Sequence, residues 1–184
     1  HEIVARHGGD EFLLVVFGTR FPRASSGYQF SMAVKLLGNP VVLVAALALF
    51  CYVSLEASLN TWSKPYMTEM FGGDQNPNAV ANAGLVLSLF GVAMMGGRFL
   101  TSMVKNLTQI GVRLIAVMAL VAAAAILTMI LTTSPALAVV AVVLTGLAFA
   151  PIFPTIVGVT FAKFEPKLYG SIFGIIFSVG LLGA

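Results

Sequence analysis

Apolar residues dominate this chain in long runs, and polar residues gather between them. Five runs stand out, at about 41–63, 80–104, 112–131, 136–160 and 168–184. Around 20 consecutive apolar residues let an α-helix cross the hydrocarbon core of a bilayer. The first four runs reach that length and the fifth nearly does, so the pattern predicts an all-α membrane protein with five transmembrane helices. Pro40 stands just ahead of the first run, a favoured residue at a helix start. Residues 1–34 read as a segment outside the membrane and 35–184 as the helical bundle. The chain begins at His1 and stops at Leu181-Leu182-Gly183-Ala184, inside an apolar run, so it reads as a fragment truncated at the C-terminus.

The loops carry alternating charge. Arg20, Arg23 and Lys35 precede the first run; Lys64, Glu69 and Asp74 follow it. Lys105 and Arg113 lie between the second and third runs, no charge between the third and fourth, and Lys163, Glu165 and Lys167 between the fourth and fifth. Basic loops mark the cytoplasmic side. The expected protein is therefore multi-pass in an inner (cytoplasmic) membrane, with its N-terminus in the cytoplasm.

Composition agrees with the pattern. The chain is 59% hydrophobic and 9% charged, against roughly 25% charged in soluble domains. The net charge of +3 fits basic loops better than nucleic-acid binding. Cys51 is the single cysteine, and His1 and His7 stand apart from any cluster. No metal or cofactor site is expected, nor any enzymatic activity.

Two ionisable residues lie inside the runs, Glu56 and Arg98. A charge in hydrocarbon costs about 2.5–3.5 kcal/mol even on the lenient insertion scale, so such residues normally face a protein interior or a wet path. Tyr52, Glu56, Asn60 and Ser63 recur at steps of four, four and three and share one helix face. That stripe is expected to face an aqueous cavity, the alternative being an interhelical hydrogen-bond cluster. At a rise of about 1.5 Å per residue, Glu56 lies roughly 22 Å from the cytoplasmic start of its run, and Arg98 about 9 Å from the cytoplasmic end of its own. On that count the two differ in depth by roughly 13 Å and no direct salt bridge between them is expected. Glu56 is placed to exchange a proton, and Arg98 to hold or gate neighbouring helices.

The fourth run contains Pro151 and Pro154, each of which removes a helix hydrogen bond in mid-membrane. Broken helices are common at transporter binding sites; the plainer alternative is a packing kink. Glycines Gly84, Gly91, Gly96 and Gly97 in the second run, and Gly170, Gly174 and Gly180 in the fifth, are read mainly as helix-packing residues.

The residues Leu49-Phe50-Cys51-Tyr52-Val53-Ser54-Leu55-Glu56, with Asn60-Thr61-Trp62, resemble the seventh helix of the fucose-permease-like sugar:proton symporters of the major facilitator superfamily. Gly97-Arg98-Phe99-Leu100 resembles the Gly-Arg pair of their eighth helix. Gly146-Leu147-Ala148-Phe149-Ala150-Pro151-Ile152-Phe153-Pro154-Thr155 resembles their tenth. The resemblance implies helices seven to eleven of a twelve-helix carrier, working by alternating access on a sugar or similar small polar solute with protons. It implies a missing N-terminal helix bundle as partner, beside the lipid bilayer. Tyr52, Glu56, Asn60, Phe149, Pro151 and Pro154 become candidates for the solute and ion pathway, and Gly97, Arg98 and Trp62 for structural or gating roles. The family's proton-coupling carboxylates lie in the half that would precede this chain.

Ile3-Val4-Ala5-Arg6-His7-Gly8-Gly9-Asp10-Glu11-Phe12-Leu13-Leu14-Val15-Val16 resembles the signature hairpin of diguanylate cyclases. The rest of such a domain is not in the chain. The second reading of function is accordingly a membrane-anchored signalling protein carrying a cyclase remnant, and a third is a structural membrane subunit.

Overall fold

The structure, a computed structural model, describes residues 35–184 apart from Lys105 and the side chain of Asp74. The segment 1–34, with its cyclase-like stretch, lies outside the described residues, as does Lys105 of the basic loop. Helix α1 spans Pro40–Met70, α2 Ala79–Ser102, α3 Leu107–Leu131, α4 Pro135–Phe149, α5 Ile152–Phe161 and α6 Tyr169–Leu181. Among the described residues there is no strand. Pro40–Met70, Ala79–Ser102, Leu107–Leu131 and the α4–α5 pair are each long and apolar enough to cross a membrane, and α6 is a shorter apolar helix.

Local chemistry sets the ends. Asn39 caps α1, its side-chain oxygen accepting the Val41 N–H at 2.9 Å, and Pro40 occupies the first turn where its missing N–H costs nothing. The helix runs seven residues past its expected end at Ser63, through Pro65, to Met70. It stops at Gly72 and Gly73, whose φ values of 101° and 54° suit glycine far better than any other residue. Asn76 then donates its side-chain N–H to the Phe71 carbonyl at 2.9 Å and tightens the turn into α2.

The α4–α5 pair is the centre of the bundle. More than half of its most apolar stretch is buried (56%), against 17–28% for the other three spans. It packs on α2 and α3, and α1 packs on α2, α5 and α6. The break between α4 and α5 falls at Ala150–Pro151, where the paired prolines were expected to interrupt the helix. Pro151 and Pro154 cannot donate to the Leu147 and Ala150 carbonyls, so two rungs are missing from the ladder. Buried hydroxyls elsewhere bond back to their own helices: Thr101 to the Gly97 carbonyl, Thr145 to Ala141 and Thr160 to Ile156, at 2.7–2.8 Å.

The glycines divide against expectation. A Cβ at Gly84, Gly91, Gly96, Gly170 or Gly174 would meet nothing within 4 Å, so these five do not pack helices together among the described residues. They lie on faces of α2 and α6 turned away from the bundle. Gly97 behaves as expected for a close approach: a Cβ there would sit 2.5 Å from the Ala150 Cβ. Gly146 faces α2 one turn before the break, and its Cβ would lie 2.8 Å from the Phe90 carbonyl oxygen.

Candidate functional site

Tyr52, Glu56 and Arg98 come together where α1, α2 and the α4–α5 break meet. The Arg98 Nη2 donates to the Tyr52 hydroxyl at 3.0 Å and to Glu56 Oε1 at 3.4 Å. The second contact is an ion pair, with the Arg98 side chain 42% exposed and that of Glu56 24%. The expectation of no direct salt bridge is thus overturned.

The reason is geometric. The depth count treated the start of α1 and the end of α2 as level, whereas α1 has 31 residues and α2 has 24. Measured from the turn that joins the two helices, Glu56 and Arg98 differ by about five residues, or roughly 8 Å. Side chains tilt toward the N-terminus of their own helix. The two helices run antiparallel, so Glu56 and Arg98 lean toward each other and close that gap.

The aromatic surroundings are equally specific. The Tyr52 ring meets Phe149 edge-on at 5.6 Å between centroids and Phe153 at 6.4 Å. Phe149 closes α4 and Phe153 belongs to α5, so one tyrosine touches both sides of the break. The Arg98 guanidinium stands 6.0 Å from the centroid of the Phe153 ring, at the outer limit of a cation–π contact. Phe153 was not among the sequence candidates. Its signal was present, four residues after Phe149 inside the proline-rich stretch, which places both rings on one side.

The other candidates fall into two groups. Pro151 is buried and Pro154 half-buried at the break, and Gly97 is buried against it. Asn60 is exposed and, among the described residues, donates only to the Glu56 backbone carbonyl, at 2.9 Å. Trp62 is 68% exposed and takes no part in the cluster. The expected stripe therefore splits. Each step of four residues advances about 40° around a helix, so Tyr52 is buried, Glu56 half-buried and Asn60 outward. Eleven residues on from Tyr52 the phase returns, and Ser63 is buried, its hydroxyl without a partner among the described residues.

A second cross-helix contact was not anticipated. The Tyr66 hydroxyl donates to the Met129 carbonyl, one of the last-turn acceptors of α3 that lack helical donors. It joins α1 to α3 beyond an apolar groove of about 460 Å³ whose lining includes Cys51, Leu55, Ile115, Ala122 and Ile126. Tyr52 shares that groove with its ring while its hydroxyl holds Arg98. Among the described residues no three His, Cys, Asp or Glu side chains gather as a metal site.

Membrane-length helices packed around a broken central span define a multi-pass helical membrane protein. Residues 12–184 match the family model of the Major Facilitator Superfamily, so the chain belongs to that superfamily of transporters. The match begins inside the cyclase-like stretch. No curated protein and no solved structure matches the chain.

Proposed function

We propose that α1 to α6 correspond to helices seven to eleven of a twelve-helix carrier that takes up a sugar or similar small polar solute together with protons. In this reading the membrane is the inner one, the start of α1 faces the cytoplasm, and an N-terminal helix bundle completes the transport path. Lys35, Lys163 and Lys167 all fall on the side so assigned.

The observation that carries the proposal is the Tyr52–Glu56–Arg98 cluster against the α4–α5 break. Arg98 uses one nitrogen for both of its partners, which leaves the rest of its donor fork free among the described residues. Glu56 offers acceptor oxygens beside it. A neutral polyol suits such a pair, since adjacent hydroxyls donate to the carboxylate and accept from the guanidinium. An anionic solute would be repelled by Glu56. The faces of Phe149 and Phe153 supply an apolar surface for a ring's C–H groups. Protonation of Glu56 removes one charge of the ion pair and frees Arg98, which ties proton uptake to the junction of α1 and α2. Alternating access then proceeds by rocking of this bundle against the N-terminal one.

The test is Glu56→Gln in the intact carrier, with uptake of labelled sugars measured across a pH series. The reading predicts reduced uptake and a flattened pH dependence. Unchanged uptake with an unchanged pH profile would remove Glu56 from the mechanism. Vesicles holding this chain by itself are predicted not to accumulate the solute.

A further inference from the structure

We infer that Gly97 and Ala150 are positioning residues for the Arg98 guanidinium, and that a single methyl group between α2 and the α4–α5 break sets the Arg98–Glu56 distance. Four observations meet at this point. Gly97 and Ala150 are both buried, Ala150 completely. A Cβ on Gly97 would stand 2.5 Å from that of Ala150, far inside van der Waals contact, and 3.5 Å from the Leu147 carbonyl oxygen. That carbonyl is one that Pro151 deprives of its helical donor. Thr101 holds the Gly97 carbonyl at 2.7 Å, and such back-bonding bends a helix locally.

Gly96 and Gly97 are consecutive in α2, and glycine costs a helix interior about 1 kcal/mol relative to alanine. The weakest stretch of α2 therefore lies against the break in the central span. Arg98 follows Gly97 directly, so the contact that seats Gly97 on Ala150 fixes the base of the arginine side chain. Tyr52 completes the loop. Its ring touches Phe149 before the break and Phe153 after it, and its hydroxyl holds the guanidinium. A change in the angle of the break moves both supports of Arg98 at once, the helix it grows from and the hydroxyl it bonds.

The experiment is a double-mutant cycle of Glu56→Gln and Arg98→Gln, read as thermal midpoints of the purified protein, in four backgrounds. The wild type carries one methyl, on Ala150. Gly97→Ala carries two, Ala150→Gly none, and Gly97→Ala with Ala150→Gly one, on the opposite side. The inference predicts a non-additive shift between positions 56 and 98 in the two one-methyl backgrounds, its loss with two methyls and its weakening with none. Ala150→Gly adds no atom, so it reports even where Gly97→Ala fails to fold. Coupling that persists in the two-methyl background, or that is undiminished in the no-methyl background, overturns the inference, because lost packing alone lowers the midpoint without altering the cycle. Failure of the exchanged pair to restore the coupling overturns it equally.

Discussion

Two stretches of α1 carry the same kind of polar sequence and meet opposite fates. Tyr52 and Glu56 reach across to Arg98 and form a network shared by two helices. Asn60 and Trp62, one to two turns further on, are exposed and bond across to nothing among the described residues. The residues themselves do not separate the two cases; the neighbour does. Arg98 leans toward the first stretch, and the rotation of the helix carries the second away from the bundle. In an apolar protein a polar residue acquires structural weight when another helix presents a complementary group at the right depth and angle.

That contrast can be broken at its strong side first. Arg98→Ala leaves a half-buried carboxylate without its cation and a buried phenol without its donor. A loss of about 1–3 kcal/mol is expected, between the range for exposed pairs and that for buried ones, read as a lower thermal midpoint in detergent. Tyr52→Phe keeps the ring against Phe149 and Phe153 but removes the hydroxyl that Arg98 bonds. It should cost about 1–1.5 kcal/mol by the same measurement. Tyr66→Phe removes the bond to the Met129 carbonyl at the far end of α1, with an expected loss of about 0.5–1.5 kcal/mol and faster amide exchange in the last turn of α3. Asn60→Ala should shift stability by no more than about 0.5 kcal/mol, since among the described residues Asn60 bonds only its own helix. If Asn60→Ala matched Tyr52→Phe, the division of the stripe would be wrong.

Much of this architecture was legible in the amino-acid order. The four long spans follow from apolar length, and the break at Ala150–Pro151 from two prolines that cannot donate. The common face of Tyr52 and Glu56 follows from helical periodicity. The ion pair was hidden because depth counted from the ends of predicted runs cannot register that α1 extends to Met70, or that antiparallel side chains lean together. The separation of Asn60 from Tyr52 and Glu56 was hidden because spacing shows a shared side but not how far the stripe winds out of the interior. The open faces of Gly84, Gly91, Gly170 and Gly174 escaped for the same reason: a small residue permits close approach without requiring it. The Tyr66–Met129 bond left no periodic signal at all, since it joins a side chain on one helix to a backbone carbonyl 63 positions away.

The central claim is that Glu56 and Arg98 recognise each other as charges across α1 and α2. A charge exchange tests it directly. The midpoints of unfolding of Glu56→Arg, Arg98→Glu and the double exchange should be compared with that of the wild type. Each single change places like charges together in an apolar setting and should destabilise strongly. The double exchange is predicted to recover most of that loss. A double exchange as unstable as the two single changes added together would contradict the account.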